Sequence, residues 1–478
     1  MPHRALSAGD RRSPVPLKLS RYLTTTPPFI DPCDGREKRV VFGTRRSRTF
    51  ILDEVHWQQL GAQTFGELPE DLLDRLGSAQ ILVPVEEDEL RTVLTENRLG
   101  IVENEVLYSV IQPSAFCQLG CHYCGQKHSL GSLDEGHLGR VVDRLRCKLE
   151  RRRYRRLLIC WFGGEPLLGL PILRALTPRL QHLAREFDCE FSANIATNGL
   201  GLTPAVATEL AEKLGVRYAE VCIDGLQEQH DSRRPKKSGH GSFAAIFRNV
   251  AALAARGDLD LKLTIRCNVD RHNYQDVIPL MDLLVAAGVH HRLARFYVAP
   301  IHAWGNDADQ SSLSAKEFAC LEVDWLAGMI RRGFPFTLLP ERREIVCMAV
   351  QPDAEVIDAA GNIFHCTEVS QVPAYEREDS FFGNVYAEGN LASSGIPLRP
   401  SPLRVFNHLI AQQQVPCSQC EVLPVCGGKC PKLWLEGKIP CPSIKHNLPE
   451  RLTLAQLLGA HGIIPPLESV QGGRNAKR

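Results

Sequence analysis

Three cysteines fall within eight residues of this chain, in the run Phe116-Cys117-Gln118-Leu119-Gly120-Cys121-His122-Tyr123-Cys124. With three residues in the first gap and two in the second, a single loop can aim all three thiolates at one point. A cubane of four irons held by three thiolates keeps one iron without a protein ligand, and that open position is where a substrate or cosubstrate binds. Clustered cysteines in an intracellular chain also hold structural zinc, with His122 or His128 available as the fourth ligand. The loop alone leaves both readings open.

What surrounds the loop favours chemistry over structure. From Leu107 to about Pro300 short apolar runs alternate with longer amphipathic ones. Strands are expected at Leu107–Ile111, Leu157–Phe162, Glu190–Ala196, Tyr218–Ile223, Leu261–Val269 and Leu293–Val298, with helices between them, among them Pro171–Phe187, Pro204–Leu214 and Phe243–Ala255. Six βα units predict an α/β fold, a parallel sheet curled into a partial (β/α)6 TIM-like barrel, short of the ~250 residues of a closed eight-unit one. A side opening would then admit something as large as a peptide. Chemistry in such barrels belongs at the carboxyl ends of the strands. The cysteine loop follows the first strand, Gly163-Gly164-Glu165-Pro166 the second, Thr197-Asn198-Gly199 the third and Asp224-Gly225 the fourth, so all four clusters are expected at one mouth.

The 478 residues carry 56 Lys plus Arg against 55 Asp plus Glu, a net charge of +1 that gives a nucleic-acid role no support. No apolar run has the character of a secretory signal or the length of a membrane span, so a cytoplasmic protein is expected. In that reducing compartment the 17 cysteines point to metal ligation or catalysis and not to disulfides.

The cysteine loop, with Tyr123 directly before its last cysteine, resembles the cluster-binding motif of the radical S-adenosylmethionine (radical SAM) superfamily. The resemblance implies a [4Fe-4S] cluster on Cys117, Cys121 and Cys124, with S-adenosylmethionine (SAM) chelating the open iron and cleaved to a 5′-deoxyadenosyl radical. It also implies that Gly163, Gly164, Glu165 and Pro166 hold the amino group of the methionine moiety, alongside Asn198. Pro166 equally suits the first position of a helix. Asp224-Gly225 with Arg233-Arg234 is similar to the fourth-strand segment of the subgroup that modifies peptides and proteins, which makes Arg234 the partner of the methionine carboxylate. Cys222 stands where relatives usually have a serine. Arg266-Cys267-Asn268-Val269 is familiar from the same subgroup, yet could simply satisfy loop carbonyls.

Beyond Phe334 the composition changes. Cys347, Cys366, Cys417, Cys420, Cys426, Cys430 and Cys441 follow one another in a loop-rich stretch with little apolar material for a core, where metal ligation would supply folding free energy. Their spacing resembles the SPASM domain found after some radical SAM barrels. The resemblance implies two auxiliary [4Fe-4S] clusters, one on Cys347, Cys366 and Cys430, the other on Cys417, Cys420, Cys426 and Cys441. The first lacks a ligand, which Glu341, Cys320 or another residue would supply unless its iron stays open. Sulfatase-activating relatives have an aspartate directly after the cysteine matching Cys366, and here that place is Thr367, with Glu368 one residue on.

The expected layout is a disordered amino terminus over residues 1–16, a small α+β accessory domain over 17–100 that could grip a peptide by adding a strand to a sheet edge, the barrel over 101–335, the SPASM domain over 336–450 and a surface-helix tail over 451–478. In the first of these, Arg48–Leu52 and Ala79–Val83 read as strands and Pro69–Leu76 as a helix. The function expected is a peptide maturase forming a crosslink or similar modification on a ribosomally made peptide. Its partners are the peptide or protein substrate and a reductant such as flavodoxin or ferredoxin, without nucleic acid or membrane. The alternatives are a maturase of a protein side chain, of the sulfatase or quinone-cofactor type, and a zinc-stabilised binding protein.

Overall fold

In the computed structural model, which describes residues 16–375, 382–386 and 401–469, six parallel strands run in sequence order: β1 (Val106–Ile111), β2 (Arg156–Trp161), β3 (Glu190–Thr197), β4 (Val216–Cys222), β5 (Lys262–Val269) and β6 (Leu293–Pro300). Each of the six strands expected for the barrel is present, with ends shifted by at most two residues. The connecting helices include α1 (Glu135–Arg151), α2 (Leu170–Glu186), α3 (Pro204–Glu212), α4 (Phe243–Ala254) and α5 (Val277–Ala286), and α6 (Ala315–Arg331) follows β6. Their apolar faces bury Leu138, Val141, Leu176, Leu180, Leu210, Val250 and Leu280 against Leu157, Ile159, Ile195, Val221 and Ile265 of the strands in one continuous core. Right-handed βα crossovers leave every loop after a strand at the same end of the sheet.

The sheet does not stop at six strands. β7 (Glu355–Ile357) pairs in parallel with β1, placing Glu355 opposite Ser109 and Ile357 opposite Ile111, and β8 (Ile363–Phe364) pairs antiparallel with β7. The carboxyl-terminal region therefore continues the barrel's own sheet past its first strand. The junction encloses a buried ion cluster: Arg144 Nε and Nη2 lie 2.7 and 2.8 Å from the Glu355 carboxylate, and Lys148 Nζ lies 2.7 Å from it. All three side chains are at most 2% exposed.

The amino-terminal region forms an antiparallel sheet of Leu23–Thr25, Phe29–Ile30, Glu37–Gly43 and Arg48–Asp53, backed by helices Glu54–Gly61 and Glu70–Ser78. The expected strand at Ala79–Val83 is instead Leu82–Pro84, because Ala79 and Gln80 close the preceding helix, Gln80 at φ +55°. Helix Glu89–Glu103 runs across the boundary expected at residue 100, and its Val93 and Leu94 pack against Val350, Phe406 and Ile410. The tail differs as well. In place of a surface helix from 451, helix Ile444–Ala460 crosses that boundary and buries Leu448, Leu452, Ala455 and Leu458, while Glu468–Ser469 pairs in parallel with Arg48–Asp53. Buried Arg451 binds Glu322 of α6, which fixes the helix against the barrel. The disorder expected at the amino terminus and the last residues of the tail lie outside the described residues.

Candidate active site

The four loops expected to converge do so. The cysteine loop leaves β1 and is stitched to the segment after β4: Gly120 N–H donates to the Pro235 carbonyl (2.8 Å), His122 N–H to that of Arg233 (3.1 Å) and Lys237 N–H to that of Gln118 (2.8 Å). On its other side the glycine turn after β2 docks on the residues just before Cys117, where Glu165 N–H donates to the Phe116 carbonyl at 2.8 Å. A Cβ on Gly164 would stand 2.6 Å from that carbonyl oxygen, closer than real contacts allow. Gly164→Ala is therefore expected to push the turn off the cysteine loop and weaken SAM binding by at least ~10-fold, an effect a binding isotherm on the reconstituted protein would register.

Glu165 anchors this turn from within. Its buried carboxylate accepts from Leu167 N–H (3.0 Å), Thr197 Oγ1 (2.7 Å) and Asn198 N–H (2.7 Å), tying the loops after β2 and β3 together. Burial raises its pKa against those bonds. In this arrangement the carboxylate positions the loop. Pro166 opens a short 3-10 helix, as its place after Glu165 favours. Asn198 Nδ2 lies 3.6 Å from Cys117 Sγ, a donor aimed at the first thiolate.

A second network forms below Cys121 and Cys124. The Tyr123 hydroxyl donates to Asp224 Oδ2 (2.6 Å) and accepts from Arg234 Nη1 and from Asn268 Nδ2 (3.1 Å). Asn268 also donates to Asp224 Oδ1 through its side chain (3.1 Å) and its backbone N–H (3.0 Å). Asp224 is fully buried, and the positive charges of Arg234 and Arg233 help hold its carboxyl below the usual range despite that burial. Arg233 is paired through Nη1, 2.6 Å from Asp270 Oδ2, and its Nε, like that of Arg234, has no partner among the described residues. Arg234 is 5% exposed and its Nε has no partner, so the buried guanidinium keeps a donor for an anion. Among the pairings left open by sequence, Asn268 belongs to the site, whereas Cys267 beside it is a fully buried core residue. Cys222 is half-buried and lies within the field of Arg234 and Arg266.

The carboxyl-terminal cysteines separate into two groups. Cys417, Cys420, Cys426 and Cys441 line one small pocket together with Lys429 and Lys445. A single zinc ion would draw four sulfurs to within about 3.8 Å of one another. Among the described residues no three Cys, His, Asp or Glu side chains stand close enough to hold one ion. Cys347, Cys366 and Cys430 form the other group: Cys430 acts on the charge of Cys347, and both act on Cys366. Burial pushes Cys347 up to about 11, so metal ligation there would release protons. Cys320 and Glu341 are both exposed.

Glu368 was not singled out for this place by its sequence neighbourhood. Its carboxylate acts on Cys366 and Cys430 and also on Cys124 of the first loop, and it feels Arg266 and Lys432. Its Oε1 accepts from Thr367 Oγ1 at 3.1 Å. Lys432 sits 3.5 Å from the Tyr375 ring centroid and 5.0 Å from that of Trp304, whose carbonyl packs on Gly125. Lys127 N–H donates to the Gln371 carbonyl at 2.7 Å. The cysteine loop and the carboxyl-terminal region thus share one wall. His128 Nε2 lies 4.0 Å from Cys124 Sγ, and burial lowers its pKa to about 4.

Comparison with known proteins agrees with this geometry. The family model described as the radical SAM superfamily matches residues 111–299. A serine-type anaerobic sulfatase-maturating enzyme of Bacteroides thetaiotaomicron is 25% identical over 371 residues, 68% of this chain and 83% of that protein. Among solved structures, native anSMEcpe with bound AdoMet and Cp18Cys peptide superposes with a TM-score of 0.53 at 17% identity, covering 74% of this chain and 99% of that one. Streptococcus suis SuiB bound to precursor peptide SuiA covers 89% of this chain and 98% of its own, at 15% identity and a TM-score of 0.49.

Proposed function

From the match of residues 111–299 to the model of the radical SAM superfamily, we propose that this chain is an enzyme that uses SAM and [4Fe-4S] clusters and abstracts hydrogen from a ribosomally made peptide to form a crosslink or similar modification. When bound, the cluster and SAM supply reductive cleavage of the sulfonium to a 5′-deoxyadenosyl radical, and the protein binds, orients and excludes side reactions. Cys117, Cys121 and Cys124 ligate the SAM-cleaving cluster. Arg234 offers its free Nε to the methionine carboxylate, and Asp224, Tyr123 and Asn268 hold the guanidinium in place. The glycine turn Gly163-Gly164 presents backbone to the methionine amino group, with Glu165 fixing the turn. Cys417, Cys420, Cys426 and Cys441 hold one auxiliary cluster, and Cys347, Cys366 and Cys430 the other.

The observation that carries this reading is the carboxylate of Glu368, within the field of both the first cysteine loop and the Cys366–Cys430 group. A group placed there can take a proton at Oε from a substrate carbon as it is oxidised, while Lys432 and Arg266 offset its charge. Glu368→Gln is expected to slow substrate modification by ~10²-fold while 5′-deoxyadenosine still forms, now uncoupled from product. Mass spectrometry after co-expression with small open reading frames adjoining the gene tests the proposal, and an unmodified peptide from active, iron-loaded enzyme refutes it.

The likeness to a sulfatase-maturating enzyme favours a second reading, oxidation of a serine or cysteine side chain in a sulfatase. Thr367 in place of the aspartate weakens it, and a synthetic sulfatase-motif peptide separates the two. The amino-terminal sheet is proposed to hold the peptide, and flavodoxin or ferredoxin to supply electrons. Among the described residues no helix is long and apolar enough to cross a membrane.

A further inference from the structure

The two halves of the barrel's inner face differ. Along β1 and β2 the inward residues Tyr108, Val110, Cys160 and Phe162 pack against Val356, Phe364 and Val369 of the carboxyl-terminal region, which plugs that half with apolar side chains. Along β4 to β6, Ala219, Val221, Ile265 and Phe296 point outward into the helix-backed core, so strand alternation turns Glu220, Cys222, Arg266, Arg295 and Tyr297 inward. This half stays accessible: Arg295 and Lys262 are exposed, and the Arg266 side chain is 38% exposed. Register sets the inward residues in rows. Cys222, Arg266 and Tyr297 lie opposite one another, one step nearer the amino ends of the strands than Asp224 and Asn268; Glu220, Thr264 and Arg295 form the next row, and Tyr218 with Lys262 the one after. Arg266 is fixed through Nε, which donates to Asn268 Oδ1 at 2.7 Å, while its Nη1 comes only to 3.9 Å from Glu220, a carboxylate that already accepts from the Tyr297 hydroxyl at 2.7 Å. Arg295 lies over the Tyr297 ring, 4.5 Å from its centroid, and Lys262 over that of Tyr218 at 5.3 Å.

Below the network of Asp224 and Asn268, three cations thus share this inner face with one carboxylate, and that carboxylate is bonded to a tyrosine. A cleft walled by one sign of charge concentrates ligands of the other sign. We infer that the inner face of β4 to β6 selects an acidic segment of the substrate, Arg266 receiving a carboxylate close to the reacting residue and Arg295 a second one two positions further along. A guanidinium takes a carboxylate through paired, charge-assisted hydrogen bonds, and the outer nitrogens of Arg266 face the space where one would sit. The two arginines stand one row apart, which is two residues or about 7 Å of extended chain, so a strand-like peptide running down the barrel presents its side chains at i and i+2 to both. The charge of Arg266 also reaches Glu368, which sets the bound carboxylate near the group proposed to take the substrate proton. Arg266 is thereby a specificity-determining residue. This selectivity rests on the proposed peptide substrate and names what that peptide carries.

The test presents a display library of short random peptides to the full-length, anaerobically loaded enzyme with SAM. Selected sequences are expected to be enriched in Asp and Glu over Lys and Arg, with acidic pairs two positions apart. One such peptide is then titrated in solution against wild type, Arg266→Gln and Arg295→Gln. On wild type, replacing its first Glu by Gln is expected to weaken binding at least ~10-fold, and on Arg266→Gln to change it less than ~2-fold, the coupling that a direct pair shows. Arg295 is exposed, so Arg295→Gln keeps the fold and should remove the cost of the second Glu→Gln in the same way. Selected sequences without acidic preference overturn the inference, as does a Glu→Gln cost that both variants retain. Tripolyphosphate that binds with the same arginine dependence while no peptide does assigns the face to a phosphate ligand and likewise overturns it. A library from which nothing is selected also overturns it, and mass spectrometry after co-expression then shows whether the peptide reading survives.

Discussion

Cys121→Ala abolishes 5′-deoxyadenosine formation and removes about a third of the bound iron, the expectation if one of three four-iron clusters is lost. Cys121 sits in the middle of the loop, and burial pushes its thiol up to about 12 even though the Arg234 guanidinium favours the thiolate. With two ligands left, the cluster has no basis for stable assembly at that loop. The proposed ligands of the two auxiliary clusters lie in the carboxyl-terminal region, so the brown colour should persist while SAM cleavage does not. Iron and labile sulfide analysis, with chromatography of the nucleoside after anaerobic reduction, checks both halves. Product at the wild-type level would remove the foundation of the functional reading.

The second large effect concerns stability. Glu355→Gln removes the carboxylate that Arg144 and Lys148 share, and breaking a buried pair in this way costs ~3–5 kcal/mol. Burial works against Glu355, but Lys148 and Arg144 together hold it down to about 2 against an ordinary 4.5. Its contribution is therefore complete above pH 4.5 and disappears as pH falls through the folded value. Lys148 runs the other way, since burial lowers it to about 8 from 10.5, so its protonated form opposes folding and raising pH across that interval relieves the opposition. In denaturant melts the gap between wild type and variant should be full at neutral pH and shrink only in acid. A gap under ~1 kcal/mol at neutral pH would mean the cluster contributes no more than a surface pair.

The barrel was legible because its signal is local. Runs such as Leu157-Leu158-Ile159 and Leu263-Thr264-Ile265 declare strands by themselves, and the polar residues directly after them had to share an end of the sheet once the strands were parallel. Asn198, Asp224 and Arg234 could be placed for that reason. β7 could not, since three residues are too few to show a pattern and the partner, β1, lies about 250 residues earlier in the chain. Strand Glu37–Gly43 passed unnoticed because its first residues are charged. The tail helix was misjudged for a related reason: Arg451 reads as a surface residue until Glu322 and the Leu338 carbonyl are seen to receive it. Glu368 gained its significance only when the fold set the loops that bear Cys124 and Cys366 beside each other.

The pairing of β7 with β1 bears on how such a protein can be taken apart. An engineer who cuts after α6 would strip the partner from β1 and open a row of amide and carbonyl groups to self-association. Transplanting the cysteine-rich half onto a foreign barrel meets the converse problem, since the recipient would need a matching unpaired first strand and a cation pair to receive Glu355. Chimaeras that exchange the two halves as a block across related enzymes should be soluble where half-exchanges precipitate.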